Sequence, residues 1–137
     1  VNTFLLEIVT PEHVVFSQQV DSITVRGTEG EFGIMAGHIP MVTPLQVAPI
    51  NVKMAGARAA IAVHGGFIEV QKEKVIILAE SAELSSDIDV ERAKAARERA
   101  ERRLASHGSQ DHIDHRRAEL ALQRAVTRIN VSSSRKE

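Results

Sequence analysis

Apolar positions in the first part of the chain come in short runs separated by turn-forming residues. Phe4-Leu5-Leu6-Glu7-Ile8-Val9 is closed by Thr10-Pro11-Glu12, a combination that ends a strand. Between Val20 and Arg26, apolar and polar residues alternate around Ile23 and Val25, as in a strand with one buried face. Further short runs fall at 50–54, 59–63, 67–70 and 75–79, with Gly65-Gly66 and Gln71-Lys72-Glu73-Lys74 dividing the last three. Frequent short strands divided by Gly, Pro or polar turns predict a sandwich or a barrel.

After Ser85 the period changes. Ser86 or Asp87 is placed to cap a helix, and Asp87, Asp89 and Glu91 suit the positive end of its dipole. Ala93, Ala96, Ala100 and Leu104 then recur at helical spacing until Ser106-His107-Gly108-Ser109-Gln110 interrupts the pattern. A second helix is expected from the region of Asp111 to Asp114, with Ala118, Leu122, Ala125 and Ile129 on one face. Two helices of similar length joined by a short loop predict an antiparallel hairpin. The expected fold is therefore α+β in two domains: an N-terminal antiparallel β-sandwich over 1–86, then an antiparallel α-helical hairpin over 87–137. Alanine seams allow close approach but bury little area, and each square ångström of apolar surface is worth only ~25 cal/mol. Such a hairpin is expected to be marginally stable against rearrangement.

Composition narrows the chemistry. The 137 residues carry no Cys, Trp or Tyr and four Phe, which removes disulfides, thiolate metal sites and cysteine nucleophiles. It also leaves little aromatic surface for stacking bases, arguing against nucleic acid as a partner. No apolar run reaches the ~18 residues of a membrane helix, so association with a membrane is expected only through a partner. Charge divides along the same boundary as the fold: 1–86 hold five basic and nine acidic groups (net −4), 87–137 hold twelve and nine (net +3). Basic helices behind an acidic sandwich suggest an anionic partner for the helices.

Arg92, Arg99 and Arg103 are spaced by seven and four residues, and so are Arg117, Arg124 and Arg128. That spacing keeps each set near one helix face, so a hairpin can bring guanidinium groups together. Arginine is the side chain best suited to bidentate phosphate contacts. Asp89 and Arg92, three residues apart, also fit an ordinary cap and ion pair. Gly27, Gly30 and Gly33 match neither the P-loop nor the dinucleotide fingerprint, and predict a tight turn. His107, His112 and His115 with Asp111 and Asp114 have a metal-like composition at a helix–helix junction, but the spacing does not assemble a dedicated metal site. No nucleophile–base pair stands out, so an enzyme is the least expected reading.

Two stretches resemble the ATP synthase epsilon subunit family. Gly27-Thr28-Glu29-Gly30-Glu31-Phe32-Gly33-Ile34-Met35-Ala36-Gly37-His38 is similar to its Gly-Glu-Leu-Gly-Ile-x-Pro-Gly-His segment, with Phe32 for Leu and Ala36 for Pro. Asp87-Ile88-Asp89-Val90-Glu91-Arg92-Ala93 is similar to its Ile/Leu-Asp-x-x-Arg-Ala nucleotide motif. The resemblance implies a non-catalytic rotor subunit of the central stalk, peripheral on the cytoplasmic face of a bacterial cell membrane. Its sandwich would bind the gamma subunit and the c-ring, with Glu31 and His38 as ring contacts. Its helices would fold on the sandwich or extend toward the catalytic α and β subunits and inhibit hydrolysis. It further implies ATP as a regulatory ligand, with Mg²⁺ possible alongside it. The implied ATP-binding residues are Glu83, Ile88, Asp89, Arg92, Ala93, Arg99, Arg124 and Arg128. Two alternatives stand beside this: a structural coupling subunit without ATP sensing, and a basic-helix module for nucleic acid or acidic proteins.

Overall fold

The computed structural model describes residues 2–106 and 112–133. Eight strands, β1 (Phe4–Val9), β2 (Val14–Val20), β3 (Ser22–Gly27), β4 (Gly30–Met35), β5 (Met41–Met54), β6 (Ala57–Val70), β7 (Lys74–Ala79) and β8 (Ala82–Leu84), precede two helices, α1 (Val90–Ala105) and α2 (His112–Ser133). A single 3₁₀ turn, Ser85–Asp87, joins the two parts. The strands follow one path, β2-β1-β7-β6-β5-β3-β4, with β8 paired to β6. Inward residues of β1 to β7, among them Leu6, Phe16, Ile23, Ile34, Ile50, Ile68 and Ile77, meet in one core cluster. The sheet therefore closes over itself as a sandwich.

One pair departs from the all-antiparallel expectation: β1 and β7 run parallel, with Leu6 opposite Val75 and Ile8 opposite Ile77. Two runs expected as separate strands form one. β6 continues through Gly65 and Gly66, which take φ of 78° and 127°. A side chain at Gly66 would collide with the Leu78 carbonyl, so glycine here lets β6 bend against β7 instead of ending. β5 is longer than its expected stretch and turns into β6 through Ala55 and Gly56, both at positive φ, which suits a two-residue hairpin. Gly27 and Gly30 close the β3–β4 hairpin, the turn expected of that glycine segment.

Residues 61 to 64 of β6 are buried on both faces. Ile61 and Val63 enter the sandwich core, whereas Ala62 packs outside it with Ile88 and Val131 in a second cluster. This outer side receives the helices. α2 lies against β5 and β6, and α1 lies against α2. The seam between the helices includes the expected alanines: Ala93, Ala100, Ala118 and Ala125 are all buried. α1 begins later than the Ser86 or Asp87 cap expected, because Asp87 belongs to the 3₁₀ turn. Asp89 is the cap, its Oδ1 accepting from the Arg92 backbone N–H at 3.1 Å.

Candidate functional site

A cavity of about 380 Å³ opens where the sandwich, the 3₁₀ turn and both helices meet. It is lined by Glu83, Asp87, Ile88, Asp89, Arg92, Ala93, Ala96, Arg99 and Arg128. Glu83 comes from β8, Arg92 and Arg99 from α1, and Arg128 from α2. On α1, residues 92, 96 and 99 follow at four and three, the spacing that puts them on one face. The small side chains of Ala93 and Ala96 leave space that a longer residue there would fill.

Glu83 organises the charges. Arg128 meets it side-on, donating from Nε to Oε1 and from Nη2 to Oε2, both at 3.0 Å. His64 approaches from β6, with Nε2 2.9 Å from Oε1. Burial pushes the Glu83 carboxyl upward, but the hydrogen bonds from His64 and Arg128 outweigh it and hold the group at about 2, down from its ordinary 4.5. Because the folded-state value is depressed, its stabilising effect is complete above pH 4.5 and is lost as pH falls toward 2. Docking of α2 is accordingly expected to weaken across that window, and Glu83→Gln to remove the acid dependence, as read by hydrogen exchange of α2 against pH.

The remaining cations are in a different condition. Among the described residues, neither Arg92 nor Arg99 has an ion-pair partner, so their donors are available to a ligand. Asp89 is half committed, one oxygen capping α1. Formal charges in the lining balance, with Glu83, Asp87 and Asp89 against three arginines. The pairing is uneven, because Arg128 and His64 offset Glu83 and the helix N-terminus offsets Asp89.

The cavity thus gathers Glu83, Ile88, Asp89, Arg92, Ala93, Arg99 and Arg128 from the expected nucleotide set. It does not gather Arg124. That residue lines a second cleft of about 840 Å³ on another flank of α2, with Arg116, Gln123, Glu80 and Gly65. The reason is helical geometry: four residues separate Arg124 from Arg128 by about 6 Å along the axis and ~40° of rotation. Glu83 captures the arginine at its own level. Arg103 and Arg117, in the same sequence patterns, are also absent from the lining. His64, Asp87 and Ala96 were not among the expected site residues. The available signal for His64 was a lone polar ring ending the apolar run Ile61-Ala62-Val63.

Glu31 is exposed near the start of β4, opposite Arg26, and His38 lies beyond its end, where Nδ1 meets the Ile39 carbonyl at 2.7 Å. Of the histidine–aspartate group, His107 and Asp111 lie outside the described residues, and His115 sits 3.6 Å from Glu119. Among the described residues, no group of three or more His, Cys, Asp or Glu is placed to hold a metal ion. No helix among them is long and apolar enough to cross a membrane.

Two family models divide the chain as its architecture does. The "ATP synthase, Delta/Epsilon chain, beta-sandwich domain" matches residues 3–85, and the "ATP synthase, Delta/Epsilon chain, long alpha-helix domain" matches residues 86–133. The chain belongs to the ATP synthase delta/epsilon family. Among bacterial members, it is 49% identical over 127 residues to the ATP synthase epsilon chain of Desulforamulus reducens, covering 93% of this chain and 95% of that one. It is 48% identical over 130 residues to the epsilon chain of Halalkalibacterium halodurans, covering 95% and 97%. A 100-residue stretch, 72% of this chain and 76% of the relative, is 59% identical to the epsilon chain of Brevibacillus brevis. In fold, the chain is similar over its whole length to a chain of the Euglena gracilis mitochondrial ATP synthase, solved as OSCP/F1/c-ring, with a TM-score of 0.78, 24% identity and 83% of that chain covered. The relatives matched over nearly their whole length are epsilon chains, and with the family match they make this an epsilon-type subunit of ATP synthase.

Proposed function

We propose that this delta/epsilon-family chain is a non-catalytic central-stalk subunit whose helical hairpin regulates ATP hydrolysis and whose docked form binds ATP. One observation carries the reading: the cavity takes its walls from the sandwich, α1 and α2 together. Undocking the helices dismantles it. A ligand held there therefore favours the docked state by its full preference for that state, with no other contact required. High ATP keeps the hairpin folded. Low ATP releases basic helices to extend toward acidic parts of the catalytic α and β subunits and block hydrolysis.

The residues fit a triphosphate. Arg92 and Arg99 supply unpaired guanidinium donors, and a cavity of about 380 Å³ lies within the range usual for small-molecule sites. Ala93 and Ala96, with Ile88 beside them, offer an apolar wall for a base. Mg²⁺ would arrive with the phosphates and be held mainly by them and by water. Titration calorimetry on the full chain tests this directly: millimolar ATP is expected to bind the wild type. Ala96→Leu, which fills the cavity without altering a charge, is expected to weaken binding at least about tenfold, the cost of overpacking a formed site. An Ala96→Leu variant that binds ATP as tightly as the wild type places the ligand elsewhere.

The sandwich supplies the rotor contacts. Met35 at the end of β4, Ile39 beyond it and Val42 near the start of β5, exposed by 66, 73 and 66%, flank His38 along the chain. They give a partner aliphatic rather than aromatic anchors, in keeping with the four Phe of the chain. A central stalk/c-ring assembly of the Tetrahymena thermophila mitochondrial ATP synthase holds a chain of similar fold, at a TM-score of 0.56 and 12% identity. The gamma subunit and the c-ring are the partners this surface suits, with attachment to the bacterial cell membrane, on its cytoplasmic face, made through that complex.

A further inference from the structure

We propose that His64 is a positioning residue of the nucleotide site: from inside β6 it fixes the Glu83 carboxylate, which in turn presents Arg128 to a triphosphate. The inference rests on the nucleotide-site reading given above.

His64 stands in a stretch where its neighbours Ile61, Ala62 and Val63 are almost fully buried, and it is itself 2% exposed. A polar ring at such a place costs free energy unless its nitrogens are paired. Nε2 is paired with Glu83, but Nδ1 is buried with no hydrogen-bond partner among the described residues. An apolar residue of similar volume would avoid that orphan atom, so what histidine offers at this position is its bond to Glu83. What the ring does supply is a directed donor. Glu83 is ionised and has no hydrogen to give, so the hydrogen of this contact resides on Nε2.

The consequence reaches Arg128. Oε1 of Glu83 accepts from His64 and from Arg128 Nε, and Oε2 accepts from Arg128 Nη2. This side-on pairing leaves both hydrogens of Arg128 Nη1 uncommitted among the described residues, on the edge suited to a phosphate oxygen. A carboxylate held by two donors also repels a triphosphate less than one held by a single donor. With His64 gone, Glu83 keeps its charge but loses the fixed end of the clamp.

The test is a double-mutant cycle on the full chain, read as ATP affinity by titration calorimetry. His64→Leu is expected to weaken ATP about tenfold, the scale of one charge-assisted hydrogen bond. His64→Gln, which keeps a donor at a comparable reach, is expected to recover most of that loss. In a Glu83→Gln background, His64→Leu is expected to add nothing, because its effect passes through the carboxylate. An unchanged affinity for His64→Leu, or an equal loss with and without Glu83, overturns the positioning role alone. Absence of ATP binding by the wild type overturns the nucleotide reading and this inference with it. Ring nitrogen NMR on the wild type covers the case of poorly folded variants: a hydrogen fixed on Nε2 supports the clamp, and one on Nδ1 alone refutes it.

Discussion

Replacing Arg128 by alanine is expected to release the hairpin from the sandwich and to abolish ATP binding together. Arg128 makes the only described ion pair between α2 and the sandwich, and it does so with two parallel hydrogen bonds to a half-buried carboxylate. Removing it leaves Glu83 charged, partly shielded from water, and held by His64 alone. The loss of such a pair costs about 2 kcal/mol, or roughly thirtyfold in the docking equilibrium. The alanine seam is expected to have little spare stability to absorb that. Hydrogen exchange should show α2 opening in Arg128→Ala while β1, β6 and β7 keep their protection. Arg124→Ala serves as the contrast. It lines the other cleft, so docking and ATP affinity are both expected to stay near those of the wild type.

The Arg92→Ala/Arg99→Ala double variant should separate the two properties that Arg128 combines. Neither residue is ion-paired among the described residues, and both are exposed, so the docked fold does not depend on them. A triphosphate bound in the cavity would. Losing two charge-assisted contacts is expected to weaken ATP by about a hundredfold, with exchange of the nucleotide-free protein unchanged. Calorimetry beside hydrogen exchange on the same samples checks both halves of this. Equal loss of affinity and of docking would instead make these arginines part of the structural seam.

Much of this architecture was written in local pattern. The change of period after Ser85, the alanine seam and the turn signals at Thr10-Pro11 and Gly27 to Gly30 are short-range properties, and they gave the sandwich and the hairpin. What local pattern missed depends on pairing across the chain. The parallel register of β1 with β7 joins residues some seventy positions apart. Gly65-Gly66 reads as a break, yet β7 on one side makes it a bend inside one strand. At the site, helical spacing grouped Arg92, Arg99 and Arg103 on α1, and the cavity takes the first two of them. Spacing could not decide between Arg124 and Arg128 on α2, because Glu83 makes that choice from the sandwich. His64 shows in the sequence only as a polar ring after an apolar run, because its meaning lies in the carboxylate that β8 brings alongside β6.

The proposed regulation requires a weakly docked hairpin that binds ATP only in its docked form. Hydrogen exchange of the full chain with and without millimolar ATP tests it most directly. Without ATP, α1 and α2 are expected to exchange much faster than β1, β6 and β7, and ATP is expected to slow both helices selectively. Helices as well protected as the sheet in the absence of nucleotide, and unchanged on adding it, would rule out the proposed switch.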